Sequence, residues 1–262
     1  MPGVKLFDAN AMLGLTLAPL AAPLPDAAAL TREMDRFGIE QALVWHYAFG
    51  AQAKAQMNRR TLDAVRGGPR LAPCWVLRTS PTMRDEKLED QAGELRAAGA
   101  RAARIFADEG PTAGPVTLAD FELGPLFAAL AERAIPLLLP SDSLNGPSAA
   151  YAYAFERIDA ICREHPRLPV VLLEPKYTTQ PKLIALMRRH ARLYATISGL
   201  QMFRQLESLV AMLGATRFLF STNLPQSDPA LPIGALVYSG LSQADKQRIG
   251  AENLRQLLGE VK

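Results

Sequence analysis

The stretch Leu6-Phe7-Asp8-Ala9-Asn10-Ala11-Met12-Leu13-Gly14 is a short apolar strand pattern that carries an acidic and an amide side chain. Later segments repeat its form: a brief β-branched or Leu-rich run, a polar tip, and then a stretch with helical periodicity. A strand buried on both faces gives such an unbroken apolar run, and parallel neighbours need a crossover helix between them. The later predicted strands cover residues 41–46, 71–77, 103–106, 135–139, 168–174, 193–198 and 217–223.

Eight strands separated by helices are what a closed parallel barrel requires, and 262 residues suit a barrel of about 250 residues. The composition shows no break that would divide the chain. The sequence therefore predicts an α/β protein whose residues 1–262 form a single (β/α)8 TIM barrel domain. A doubly wound open sheet is the alternative, but no Gly-x-Gly-x-x-Gly turn follows the first strand, which argues against a dinucleotide-binding version.

The composition excludes several classes of protein. An apolar fraction of 49% with 21% charged residues is typical of a globular chain with a full core. No apolar run approaches the roughly 18 to 20 residues of a membrane helix, and the first residues lack a secretory signal pattern, so we expect a cytoplasmic protein without membrane partners. Cys74 and Cys162 have no Cys-x-x-Cys spacing and are interpreted as buried thiols.

The charge pattern gives little support to nucleic-acid binding. The net charge is +3, and the Lys and Arg residues are scattered, with Arg188-Arg189 the densest helical pair. We interpret that pair as a solvated helix face. Residues 15–25 instead form an apolar loop stiffened by three prolines, and this loop is a candidate homodimer surface.

Four segments carry recognisable motifs. Phe7-Asp8-Ala9-Asn10-Ala11-Met12-Leu13-Gly14 is similar to Asp-x-His-x-His-x-Gly, and Arg217-Phe218-Leu219-Phe220-Ser221-Thr222-Asn223-Leu224-Pro225 is similar to Arg-x-x-Phe-Gly-Ser-Asp-x-Pro. The other two are Glu33-Met34-Asp35-Arg36-Phe37-Gly38-Ile39 and Glu252-Asn253-Leu254-Arg255-Gln256-Leu257-Leu258-Gly259. Together they resemble the amidohydrolase superfamily, in particular its branch of decarboxylases and lactone hydrolases. The resemblance covers nearly the whole chain and implies an amidohydrolase-like barrel.

In enzymes of that superfamily, two strand-one histidines, a histidine ending each of strands five and six, and a strand-eight aspartate hold one or two divalent metals. The corresponding residues here are Asn10 and Met12, the region of Pro140, Glu174, and Asn223. An amide is a poor zinc ligand, a thioether suits soft metals, and proline offers no side-chain donor. We therefore expect the fold without the metal centre of the family, and no cofactor.

Polar side chains nevertheless remain where the predicted strands end. They are Asp8, Asn10, His46, Arg78, Arg104, Ser141, Asp142, Glu174, Lys176, Ser198, Thr222 and Asn223. Barrel sites are built at this end, and guanidinium groups bind carboxylates through paired hydrogen bonds. We therefore expect a small carboxylate or lactone ligand, bound by Asn10, Arg78, Arg104, Lys176 and Asn223.

Two residues are candidate general bases, His46 and Glu174. His46 is the one histidine of three at a predicted strand end, and it is either a base or a hydrogen-bonded structural residue. Glu174 is either a base or a partner that neutralises Lys176 or an arginine. An unusual metal set of Asp8, His46 and Glu174 is a further alternative.

Two functions follow from these residues. The first is a metal-independent hydrolase or lyase acting on a small carboxylate or lactone. The alternative is a non-catalytic ligand-binding or partner protein, a pseudoenzyme, that keeps the fold. The sequence identifies neither the substrate nor the oligomeric state.

Overall fold

The structure is a computed structural model that describes residues 3–14, 22–47, 50–80, 86–106, 116–140 and 155–259. Its eight strands are β1 (Phe7–Leu13), β2 (Gln41–His46), β3 (Leu71–Val76), β4 (Ala102–Arg104), β5 (Leu137–Pro140), β6 (Val170–Leu173), β7 (Leu193–Thr196) and β8 (Phe218–Leu219). All neighbouring pairs are parallel and follow chain order from β1 to β8. The Ala9 amide donates to the Phe220 carbonyl across 3.0 Å and links the two edges. The predicted (β/α)8 TIM barrel is confirmed.

Helices surround the strands, and the first shows how they are bounded. They are α1 (Ala27–Phe37), α2 (Gly50–Val65), α3 (Gln91–Ala97), α4 (Asp120–Glu132), α5 (Phe155–Glu164), α6 (Gln180–Arg189), α7 (Gln205–Leu213), α8 (Ala230–Val237), α9 (Gln243–Gln247) and α10 (Asn253–Leu257). Asp26 caps α1 by accepting a hydrogen bond from the Ala29 amide, and Gly38 ends the helix in the left-handed conformation. Both ends agree with the sequence, which predicts a helix that begins at Asp26 and is closed by Gly38.

The core has two layers because successive strand side chains point to opposite faces. One layer, which includes Leu13, Val44 and Leu172, packs between the strands and the helices. The other, which includes Phe7 and Val171, fills the barrel interior. All seven residues of β1 are buried, which explains its unbroken apolar character.

The C-terminal segment closes the barrel at the amino-terminal ends of the strands. Leu254 and Leu258 belong to the same buried cluster as the interior strand residues. The sequence predicts one helix through this segment, but a π-helical turn at Arg248–Glu252 separates α9 from α10. Gly250 lies in this turn, and a Cβ there would lie 2.5 Å from the Lys5 carbonyl oxygen. The two backbones therefore pack too closely for a side chain at this position.

Other predicted helices and loops agree with the structure only in part or lie outside the described residues. Helix α8 was not predicted, since its Ala- and Leu-rich sequence contains Pro232 and follows a proline-rich loop. Residues 15–21 of the proposed homodimer loop lie outside the described residues, as does the start of the helix predicted before residue 155. In the described part of the chain, no helix combines the length and apolar character needed to span a bilayer.

Candidate functional site

The candidate site lies at the carboxyl ends of the strands, and a bulge in β1 shapes it. Asp8 pairs with Ala42 and Ala11 with Val44, so β1 has one more residue than β2 in this interval. Such a bulge re-aims the side chains beside it. Here it directs Asn10 toward the residues that end the neighbouring strands.

Asp8 fixes the bulge to the segment after β8. Its Oδ1 accepts hydrogen bonds from the backbone N–H groups of Asn10 and Thr222, both at 2.9 Å. The Thr222 hydroxyl donates to Asp8 Oδ2. Burial raises the pKa of Asp8, while these three bonds favour the carboxylate and oppose that rise. Asp8 therefore acts as a support that holds two strand ends together.

Asn10 is the centre of the polar network. Its Oδ1 accepts from Trp45 Nε1 at 2.9 Å and from Arg104 Nη1 at 3.0 Å. Both partners are donors only, so they fix which end of the amide faces them. Asn10 Nδ2 then donates to Asn223 Oδ1 at 3.2 Å. The structure thus brings together the side chains of Asn10, Arg104 and Asn223.

Arg104 lies in an aromatic cage. Its guanidinium carbon is 3.4 Å from the centroid of a Trp45 ring and 4.9 Å from that of Phe106. Phe106 also meets Trp45 and Tyr47 edge-to-face, with centroids 5.3 and 5.6 Å apart. The ring faces attract the cation and fix the plane of its N–H groups. The result is a buried, permanently charged and oriented cation in the barrel mouth.

His46 is neutral at physiological pH. Burial, with the positive charge of Arg60, lowers the pKa of His46 to about 4. Its Nδ1 lies 2.9 Å from Thr61 Oγ1, and the Thr61 hydroxyl itself donates to the Met57 carbonyl. The ring proton is therefore assigned to Nδ1, and Nε2 carries a lone pair on the side of Gly14. His46 has the tautomer of a proton acceptor, but its conjugate acid is strong.

Glu174 follows β6 in the left-handed conformation, with φ at 54°. Its amide donates to Thr196 Oγ1 at 2.8 Å. A Cβ at Gly199 would lie 2.5 Å from the Pro175 carbonyl oxygen and 2.8 Å from the Glu174 carbonyl carbon. The backbone around Glu174 is thus held in a strained conformation, as is common at functional sites. Lys176 is exposed at the start of the following turn.

Arg78 is held in place by contacts with Glu86 and Gln91. It forms an ion pair with Glu86, and both side chains are largely buried. The Gln91 side chain accepts from the Arg78 amide at 2.9 Å and donates to the Arg78 carbonyl at 3.1 Å. The Arg78 guanidinium is therefore already neutralised by Glu86.

Three predicted strand-end residues remain, Ser198, Ser141 and Asp142, and the structure describes only the first. Ser221 donates to Ser198 at 2.8 Å, which forms a buried hydroxyl pair after β7 and β8. Ser141 and Asp142 lie outside the described residues.

Sequence reasoning missed a polar stripe on α2. Lys54, Asn58 and Thr61 share one helix face, and all three are buried. Asn58 donates to the Val76 carbonyl at 2.9 Å and accepts from the Val76 amide at 2.8 Å. The helix runs back from the mouth, so Lys54, one turn earlier, lies nearer the strand ends. The sequence does contain a signal for this stripe, because the three polar residues recur at helical spacing.

Sequence reasoning also missed Trp45 and Phe106, the aromatic residues that surround Arg104.

Asn10, Met12 and Asn223, which the sequence resemblance places at three metal-ligand positions, do not fit a divalent metal. The amide oxygens of Asn10 and Asn223 already accept hydrogen bonds, and Arg104 places a positive charge beside Asn10. Met12 offers a buried thioether that accepts from Gln226 Nε2 at 3.7 Å. A divalent ion prefers anionic or imidazole ligands and would be repelled by the guanidinium. In the described part of the chain, no three His, Cys, Asp or Glu side chains are arranged to hold a metal, so Asp8, His46 and Glu174 do not form the alternative set.

Solved structures share this architecture at low sequence identity. An uncharacterised TIM-barrel protein from Bordetella bronchiseptica is 19% identical, with a TM-score of 0.75 over 98% of this chain and 99% of that chain. A 2,6-dihydroxybenzoate decarboxylase bound to 2,6-dihydroxybenzoate is 18% identical, with a TM-score of 0.77 and the same coverage. A dihydroxybenzoic acid decarboxylase from Polaromonas sp. JS666, with bound manganese and the inhibitor 2-nitroresorcinol, is 19% identical, with a TM-score of 0.72 over 98% and 97% of the two chains. These likenesses show the fold.

Sequence comparison shows the family. No curated protein matches the chain. The family model described as Amidohydrolase matches residues 15–259, a region that begins just after the strand with Asn10 and Met12. Because this match covers most of the sequence, the chain belongs to the amidohydrolase family.

Proposed function

We propose that this chain is a metal-independent hydrolase or lyase that binds a small aromatic carboxylate or lactone at the barrel mouth. The observation that carries the proposal is the hydrogen bond from buried Arg104 to Asn10, a residue that the sequence resemblance places at a metal-ligand position of the superfamily. In this proposal the guanidinium supplies the positive charge that polarises the bound substrate.

The aromatic cage supports a planar substrate. Trp45 and Phe106 hold the Arg104 guanidinium, and Tyr47 extends the same aromatic surface. A guanidinium carries its N–H donors in a fixed plane, and the Arg104 Nη1 group donates to Asn10. A carboxylate is the anion that matches this geometry. Two of the solved structures with this fold are decarboxylases of dihydroxybenzoic acids, which agrees with an aromatic acid as substrate.

The proton-transfer step has two candidate residues. His46 presents an unprotonated Nε2, and Glu174 is held in a strained conformation beside β7. Asn223 and Lys176 complete the proposed binding set. Arg78 joins it only if the ligand competes with Glu86 for its guanidinium.

One observation favours the non-catalytic alternative. Because the pKa of His46 is lowered to about 4, it is a weak base at neutral pH. If Glu174 does not take this role either, the barrel is a binding protein that keeps the family fold. In that case it should bind aromatic carboxylates without converting them.

Binding and turnover are tested separately. Calorimetry with benzoate and its hydroxylated derivatives, in the presence of EDTA, should show binding that weakens about tenfold or more in Arg104→Met. Arg188→Met, at an exposed helical arginine, is the matched control and should bind normally. Binding that disappears with EDTA and returns with a divalent metal would refute the metal-independent site.

A chromatographic assay over a panel of aromatic acids and lactones then tests catalysis. Turnover that persists in EDTA and falls strongly in His46→Ala or Glu174→Gln supports the enzyme. A panel that binds with no turnover supports the pseudoenzyme.

A further inference from the structure

A second, unassigned cavity lies at the opposite end of the barrel. It has a volume of about 480 Å³, and its lining includes Arg96, Arg192, Tyr194, Thr216, Arg217 and Asn253. We propose that this cavity binds a small anion with two or more negative charges, such as a polyphosphate or a tricarboxylate.

The position of the cavity separates it from the mouth. Arg192 directly precedes β7, and Arg217 directly precedes β8. Arg96 lies in the last turn of α3, just before the chain enters β4. In a parallel barrel these places belong to the amino-terminal ends of the strands, opposite the candidate active site.

Two of the arginines are fixed in place by backbone carbonyl groups. Arg217 Nε donates to the Leu193 carbonyl at 3.0 Å, and its Nη2 donates to the His190 carbonyl at 2.6 Å. Arg96 Nη2 donates to the Arg133 carbonyl at 2.9 Å. These neutral partners orient the guanidinium groups and add no negative charge of their own. The site is therefore preorganised for an anion.

The charge balance of the cavity is one-sided. Among the residues that the structure describes, its lining contains three arginines and no carboxylate. Within the described ranges, no Asp or Glu forms an ion pair with any of the three. Three like charges around one cavity repel each other, and a bound anion removes that repulsion.

The size and chemistry of the cavity define the ligand class. About 480 Å³ lies within the range of small-molecule sites. Guanidinium forks bind phosphate and carboxylate oxygens, and Thr216 lines the same cavity with a hydroxyl group. A multivalent anion is the ligand that engages several arginines at once.

Calorimetry with tripolyphosphate and with citrate, at constant ionic strength, tests the proposal. At least one of the two should bind the wild-type chain, and the one that binds more tightly identifies phosphate or carboxylate as the preferred group. The double variant Arg96→Gln/Arg192→Gln should weaken that binding at least tenfold. The structural contacts of Arg217 make it unsuitable for substitution.

Two controls locate the ligand. Arg188→Gln removes an exposed arginine outside the cavity and should leave binding unchanged, and Arg104→Lys should also leave it unchanged because it alters only the mouth. If the double variant does not fold, the single variant Arg192→Gln serves, with a weaker expected loss. The proposal is wrong if neither anion binds, if the arginine variants bind as tightly as the wild type, or if Arg104→Lys abolishes binding.

Discussion

Trp45 and Arg104 converge on a single acceptor, since both donate a hydrogen bond to Asn10 Oδ1 while the guanidinium stacks on the indole. The stack and the shared acceptor restrict the guanidinium in two independent ways. Asn10 thus orients both the Arg104 guanidinium and the Trp45 indole on which it stacks.

Asn10→Leu should lower the free energy of unfolding by about 3 kcal/mol, because it leaves a buried guanidinium and a buried indole N–H without their acceptor. Urea denaturation measures the loss. Asn253→Leu is the matched control, since Asn253 is also buried but serves two neutral carbonyls, at 2.9 and 2.8 Å. Asn253→Leu should lower the free energy of unfolding by less than Asn10→Leu does. A loss below about 1 kcal/mol in Asn10→Leu would mean that the network does not hold the cation.

Stability should depend on pH through His46. Its folded pKa of about 4 lies below the value of 6.5 for an unperturbed histidine. Between these values the unfolded state binds more protons, so this contribution is present above about pH 6.5 and is lost as the pH falls toward 4. The loss should reach about 2–3 kcal/mol. Urea denaturation at pH 7, 5.5 and 4.5 measures it.

His46→Asn provides the comparison for that experiment. The asparagine amide keeps a donor near Thr61 but does not titrate, so this variant should lack the contribution of His46 to the slope. A variant with the same pH dependence as the wild type would contradict the lowered pKa.

Gly199→Ala should destabilise the fold by about 2–4 kcal/mol, because the added methyl group meets backbone atoms that cannot rotate away. Gly93→Ala in α3 is the control, since no atom lies within 4 Å of the Cβ position there. That change should stabilise by about 0.5–1 kcal/mol. Chemical denaturation compares the two. Equal stabilities would show that the segments after β6 and β7 move apart at little cost.

The two cysteines should be unreactive in the folded protein. Burial raises the pKa of both Cys74 and Cys162 to about 12, so neither is a thiolate near neutral pH. Ellman's reagent at pH 8 should detect no thiol in the native chain and two after unfolding in guanidinium chloride. Rapid labelling of one thiol before unfolding would contradict this environment.

Local patterns were sufficient to predict the barrel. The Leu- and Val-rich runs gave all eight strands because a strand covered on both faces must be apolar throughout. Capping chemistry gave the limits of α1. The split between α9 and α10 was not predictable in this way, because the residues of Arg248–Glu252 have no helix-breaking proline. The close approach of Gly250 to Lys5 was not predictable either, because the two residues are distant in the sequence.

The site was predicted less completely than the fold. Strand ends located Asn10, Arg104 and Asn223 at the mouth, and the structure joins them. The bulge in β1 and the pairing of Arg104 with Trp45 depend on register between strands, which residue order alone does not contain. The roles assigned to His46, Glu174, Lys176 and Arg78 stay predictions.

The side-chain amides of Asn58 and Gln91 hold the end of β3 as a neighbouring strand would, since each bonds both a backbone amide and a carbonyl. Direct pairing of β2 with β3 stops at Val44 and Pro73. Protection of the Val76 amide from hydrogen exchange therefore depends on how firmly α2 is docked. A local opening of that helix would loosen the rim of the barrel while every ladder between strands stays intact.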